Sequence, residues 1–177
     1  GANGIANAQD KSYLNNILKA TAGWTTGAVI HEGSHYLTGE ALGMEGMEVT
    51  PRDYSYENSK GDDEKAYTAL TGPLASAITS RMTRNADTPF EKGLFAYSTW
   101  DGLQKAFFPN FLGSNNSDIN ELEESIGKDK TNLIRAGLGL NAIWNTYQYF
   151  YKDKNEKSNW EVYAGPHNKD GFKFIMK

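Results

Sequence analysis

Cysteine does not occur in this 177-residue chain, and its absence removes disulfides, thiolate metal sites and cysteine nucleophiles in one step. The compartment stays open, because a cysteine-free chain tolerates oxidising and reducing surroundings alike. No uninterrupted apolar stretch approaches the ~18 residues of a membrane-spanning helix, so no transmembrane segment is expected. A basic footprint is missing as well: the formal net charge is −4, and no five like charges run together. Nucleic acid is therefore not an expected partner. Histidine is scarce. Only three occur, and two of them, His31 and His35, stand four residues apart.

What is present fits an ordinary globular protein, with 38% apolar and 23% charged residues. The length suits one buried core, and we expect a single domain over residues 10–177 behind a disordered tail at residues 1–9. Ala6-Asn7-Ala8 before Gln9 has the small-residue pattern of a signal-peptide cleavage site. Export, periplasmic or secreted, is one expectation and a cytoplasmic location the other.

Hydrophobic spacing predicts a mainly α fold with a few short strands. A helix is expected after Asp10 and another through "GWTTGAVIHEGSHYLTGEALG", stopped by Gly43. A short strand near residues 46–50 ends before Pro51. Asp62 and Asp63 open a helix that contains Gly72-Pro73, where proline should introduce a kink. Thr88, Pro89 and Glu91 spell a capping box with proline at the first helical position. Asp101-Gly102 is expected to interrupt or restart that helix. A short amphipathic helix should run from Ser117 to Ile126, a longer one through "TNLIRAGLGLNAIWNTYQYFYK", and a C-terminal β-hairpin around "PHNKDG".

The chemistry is concentrated in "AVIHEGSHYLTGEALG". Residues four apart share a helix face, so His31 and His35 can offer two imidazoles to one ion. Glu32 projects about 100° round the helix, within reach of a water on that ion without ligating it. This is the division of labour of a zinc hydrolase: Zn²⁺ lowers the pKa of water and Glu32 takes the proton as the catalytic base. A catalytic zinc needs a third protein ligand and an open position. Residue 41 is alanine, which excludes the metzincin pattern, and leaves Asp101, Glu64, Asp62, Asp63 and His167 as donors. His167, in "GPHNKDG", reads as a loop residue.

Three segments in order, "VIHEGSHYLTGEALGME", "DEKAYTALTGPLASAIT" and "STWDGLQKAF", resemble the metal-binding core of the site-2 protease family of zinc metallopeptidases, over about residues 22–107. The resemblance implies a zincin-like helix core with His31, His35 and Asp101 as zinc ligands, Glu32 as base, and a peptide or protein as substrate. Glu40, Asp62, Lys65, Arg81 and Glu91 within residues 22–107 make the chain look like a soluble relative of that core. Two alternatives stand beside this reading. One is a gluzincin-type peptidase with Glu64 as the third ligand. The other is a non-catalytic binding module that retains the helix.

Overall fold

Seven elements follow the chain in a computed structural model, which describes residues 2–50, 54–58, 61–108 and 117–151. They are α1 (Ala2–Leu42), β1 (Glu48–Val49), β2 (Tyr54–Ser55), α2 (Asp62–Met82), α3 (Pro89–Phe107), α4 (Ser117–Ile126) and α5 (Lys128–Tyr151). The fold is mainly α, as expected. The two-residue strands pair antiparallel, Glu48 with Ser55 and Val49 with Tyr54. Among the described residues they form the one sheet, and the expected C-terminal hairpin and His167 lie outside those residues.

Two boundaries differ from expectation. α1 is a single helix from Ala2, replacing the disordered tail at residues 1–9 and the separate second helix. No proline or stop signal intervenes, and extending an existing helix is far easier than nucleating one. Gly23 and Gly27 do not break it either, because both lie buried against α3. α3 likewise runs through Asp101-Gly102. Asp101 is thus an interior helical residue with its carboxylate free of capping duty. α2 also continues through Pro73.

Other signals act as read. Gly43 takes φ 73°, Gly43 N–H donates to the Glu40 carbonyl and Met44 N–H to the Gly39 carbonyl. That crossed pair is the Schellman termination of α1. At the start of α3, Glu91 N–H donates to Thr88 Oγ1 and Thr88 N–H to the Glu91 carboxylate. Gly127, at φ 86°, is the single residue between α4 and α5.

The interior is unusual in kind. α1 lies against α3 and α2, α3 against α5, and α2 against α4. The helices approach so closely that large side chains do not fit between them. A Cβ on Gly23 would stand 1.9 Å from the Phe90 carbonyl oxygen, and one on Gly93 1.8 Å from that of Ala20. Buried apolar residues are few: Ala86, Phe95, Leu138 and Ala142 outside any cluster, and two small clusters, Ala66, Ala69, Ile119 and Leu122 on one side and Met44, Met47 and Tyr54 on the other. Between them lie His31, His35, Ser76, Asp101, Lys105 and Asp118, all buried. Many large apolar side chains, such as Val29, Leu37, Leu140 and Trp144, face outward instead. No helix among the described residues is long and apolar enough to cross a membrane.

These contacts separate two kinds of glycine. Gly137 on α5 has nothing within 4 Å of its would-be Cβ. Gly137→Ala should therefore stabilise the protein by about 1 kcal/mol through helix propensity. Gly93→Ala should cost about 3 kcal/mol, because α1 must move away from α3. Urea denaturation of the two variants reads both signs, and equal effects would contradict the backbone contact.

Candidate metal centre

The site is assembled from four helices. On α1 the buried positions Gly23, Gly27, His31, His35 and Gly39 recur every fourth residue. Four residues advance the helix by about 400°, so each step rotates the buried stripe by about 40°. The stripe thus turns from α3, touched at Gly23 and Gly27, to α2, touched at His35, and finally to Met47 beside Gly39. His31 and His35 fall at the crossing, where α1, α2 and α3 all reach them.

His35 is fully buried and His31 is 2% exposed. The His35 ring is oriented by its Nδ1, which donates to the Thr68 carbonyl at 2.6 Å. A carbonyl only accepts, so Nδ1 carries the proton and Nε2 presents a lone pair when the ring is neutral. Tyr54 stacks on the other face, with ring centroids 4.2 Å apart and planes 19° apart. The His31 Nδ1 lies 3.0 Å from Ser76 Oγ and 3.2 Å from Asp101 Oδ2. Its Nε2 faces the His35 Nε2 at 3.1 Å.

Asp118, near the start of α4, closes the triangle. Its Oδ2 is 3.2 Å from His31 Nε2 and its Oδ1 is 3.5 Å from His35 Nε2. Lys105 Nζ donates to Asp118 Oδ2 and lies 3.4 Å from Asp101 Oδ1. The next turn of α4 is tied down too, since Tyr54 and Tyr56 both donate their hydroxyls to the Glu121 carboxylate. Tyr54 thus stacks on His35 and, with Tyr56 just after the strand, clamps the helix that carries Asp118.

Each expected site residue has a definite place. His31, Glu32 and His35 come together, with ligand atoms within 4.8 Å of one another. Asp101 arrives as well, but at His31 Nδ1, the nitrogen turned away from His35. Asp62, Asp63 and Glu64 occupy the first turn of α2. Eight residues separate Glu64 from Gly72, which places it about 12 Å along the axis from the point where α2 meets the imidazoles. Sequence reasoning missed Asp118, which carries no spacing relative to the motif and sits among other α4 acids. It also missed Lys105, although a lysine four residues after Asp101 on one helix face was a readable sign.

The donor set fits a divalent cation. Zinc–nitrogen bonds of about 2.0–2.1 Å in a tetrahedral site place ligand atoms about 3.3–3.4 Å apart. The separations of 3.1, 3.2 and 3.5 Å among the two Nε2 atoms and the Asp118 carboxylate bracket that value. α2 packs directly on the two rings at Gly72, where a Cβ would stand 2.1 Å from His35 Nε2 and 2.7 Å from His31 Nε2. Asp101 at Nδ1 supplies the outer carboxylate that metal-ligating histidines commonly have.

Charge in the cluster is set by the pairing. Burial opposes a charge on His31, but Asp101 beside Nδ1 and hydrogen bonds to Asp101 and Asp118 outweigh it and raise its pKa to about 9. Both ring nitrogens face acceptors, as an imidazolium requires. Burial would push the Asp101 pKa up, yet Lys105 and His31 bring it down to about 2. Asp118 is held well below the usual carboxylate range, chiefly by Lys105 against its own burial. Glu32 moves the other way: burial raises its pKa, with His31 and His35 opposing.

A pH dependence follows for the chelator-treated protein. The folded pKa of His31 exceeds its ordinary 6.5, so its contribution is complete below that pH and disappears as pH rises through about 9. The shift corresponds to about 3 kcal/mol, part of which is the same pairing that lowers Asp101. Asp101 contributes above about pH 3.8 and loses its contribution as pH falls through about 2. In EDTA the melting temperature should be highest between these limits and fall by about 5–10 °C toward pH 9. A flat profile from pH 6.5 to 9 would contradict the His31–Asp101 pairing.

No family model, curated protein or solved structure matches this chain.

Proposed function

We propose that this domain is a zinc-dependent hydrolase, a metallopeptidase in its simplest form, with His31, His35 and Asp118 as metal ligands and Glu32 as the general base. The observation that carries the reading is the convergence of two Nε2 atoms and one carboxylate at 3.1–3.5 Å, with a glutamate adjoining them. The resemblance of residues 22–107 to site-2 protease segments supports the same class and the peptide substrate. It assigns the third ligand to Asp101. The geometry favours Asp118 for that role and gives Asp101 the task of fixing His31 through Nδ1.

Zinc held there supplies Lewis acidity, which makes water a nucleophile near neutral pH and polarises a carbonyl. The protein's own groups do the rest. Glu32 accepts the proton of the attacking water and returns it to the leaving amine. Burial raises the Glu32 pKa toward the working range, which suits a group that must both take and give a proton. Thr68 and Ser76 hold the two rings in register. Lys105 offsets the carboxylate charge beside them.

One observation favours a second reading, a non-catalytic metal-binding module. The imidazoles are 0–2% exposed, whereas Glu32, at 8%, reaches the edge of the site. Hydrolysis by the first reading requires a substrate to reach Glu32 and the face of the site beyond it.

Metal analysis and fluorescent-casein hydrolysis separate the readings. The purified protein should contain about one zinc per chain. Asp118→Ala should weaken zinc by at least ~100-fold, Asp101→Asn by about 10–100-fold, and Glu64→Ala not at all. Glu32→Gln should keep zinc and lose hydrolysis. Zinc binding without any hydrolysis in the wild type supports the binding module, and absence of zinc affinity contradicts both. If Glu64→Ala alone removes the metal, the gluzincin assignment replaces this one.

A further inference from the structure

α5 carries two regularly spaced faces, and the fold uses one of them. Thr131, Arg135, Leu138, Ala142, Asn145 and Tyr149 look inward: four are buried, Arg135 donates to the Lys105 and Ala106 carbonyls, and Tyr149 stacks on Phe95. Leu133, Gly137, Leu140, Trp144, Tyr147 and Tyr151 form a second row, about 160° round the helix. Its five side chains are 52–76% exposed, and a Cβ at Gly137 would meet nothing within 4 Å. The outward row is the more apolar of the two.

The row is also regular. Alternating steps of four and three residues make a 3.5-residue period, which holds a seam straight along a neighbouring helix for about 27 Å. Trp144, Tyr147 and Tyr151 stack one on the next, with centroids 5.8 and 5.3 Å apart. Arg135 is the one charged residue from 131 to 151, and its guanidinium is turned inward. The comparable row on α2, Tyr67, Thr71, Leu74, Ile78 and Arg81, is not a seam. Thr71 there donates to the Ser34 carbonyl, and the row ends on a charge.

We propose that the outward row of α5 is a self-association seam, on which a second copy of this chain packs antiparallel about a two-fold axis. Side-chain size sets the alignment. With the axis level with Ala142, Leu133 faces Tyr151, Gly137 faces Tyr147 and Leu140 faces Trp144 of the second copy. Each ring meets a smaller residue, and the open place at Gly137 receives a Tyr147 ring. Parallel alignment would instead oppose glycine to glycine and indole to indole, a void next to a collision. The two-fold relation makes every contact twice.

Area and charge fit the same occupant. At about 150–250 Å² for each aromatic ring, the row and the flanking Ile143 and Phe150 expose on the order of 800 Å², what one partner contributes to a standard interface. A row without charge brings no like-charge repulsion to its own copy and offers a charged partner nothing to pair with. The inference does not depend on the metal.

Sedimentation equilibrium of the full chain at about 1–100 μM tests it. Wild type should approach twice 19.6 kDa. Leu140→Lys and Trp144→Glu, both at exposed positions, should each keep the helical circular dichroism spectrum and weaken association by at least about 100-fold. Mixed in equal amounts, the two variants should regain the dimer, because antiparallel packing sets the new lysine against the new glutamate. Parallel packing does not. If either variant fails to fold, Gly137→Trp carries the test: its side chain enters open space in one copy but blocks Tyr147 of the other, and the dimer should again be lost.

A dimer untouched by these variants would overturn the proposal, as would two monomeric variants that fail to restore each other. So would a wild type that stays monomeric at about 100 μM. The row would then belong to residues 152–177, to another protein or, if the monomer floats with phosphatidylcholine vesicles, to lipid.

Discussion

The buried charge cluster on which α1, α2, α3 and α4 converge governs the rest of the structure. His31, Asp101, Lys105 and Asp118 are each at least nine-tenths withdrawn from solvent. Charges so placed are tolerable only when paired and hydrogen-bonded, because an uncompensated one carries a desolvation penalty of several kcal/mol. Each member is answered here: His31 by Asp101 of α3 and Asp118 of α4, and Lys105 by Asp118 and by Asp101 one turn earlier on its own helix. Such a network is weak as net stabilisation but strict as geometry. Displacing α1, α3 or α4 would strand a charge, and displacing α2 would take Ser76 and the Thr68 carbonyl from the two imidazoles, so the cluster sets the mutual positions of the four helices.

The same constraint explains why the interior holds so few large apolar side chains. Polar groups at 3.0–3.5 Å from one another require backbones drawn close, and closeness requires glycine, alanine and serine at the crossings. Gly23, Gly93 and Gly72 supply that approach, while Ser76 adds a hydroxyl at no cost in volume. Leucines, tryptophans and tyrosines are consequently displaced outward on α1, α2 and α5. Packing is left to small clusters at either side of the polar centre and to Phe95, Leu138 and Ala142 on α3 and α5. The β1–β2 pair, too short to matter as a sheet, serves by placing Tyr54, which covers His35 and with the following Tyr56 secures α4.

Much of this was legible from local signals, because helices and their ends are local objects. Periodic apolar residues marked α2 to α5, the Thr88–Glu91 capping box and the glycines at 43 and 127 marked boundaries, and all of these acted as read. The errors were also local. An aspartate before a glycine looks like a cap, yet Asp101 is interior because tertiary partners claim its carboxylate. A polar, glycine-containing N-terminus looks like a tail, yet it prolongs α1. His31 and His35 were legible as a pair because one helix turn spaces them. Asp118 was not, because nothing in α4 relates it to α1 until the chain closes.

The sequence by itself therefore determined a cysteine-free, mainly helical chain and two imidazoles aimed the same way with an acid between them, since four-residue spacing on a helix is a matter of covalent geometry. Only the tertiary structure decided which acid meets the shared nitrogens, that Asp101 stands behind His31 rather than beside His35, and that α2 packs on both rings at Gly72. Those facts depend on distances between helices, and such distances are settled by the joint requirement that every buried charge find a partner.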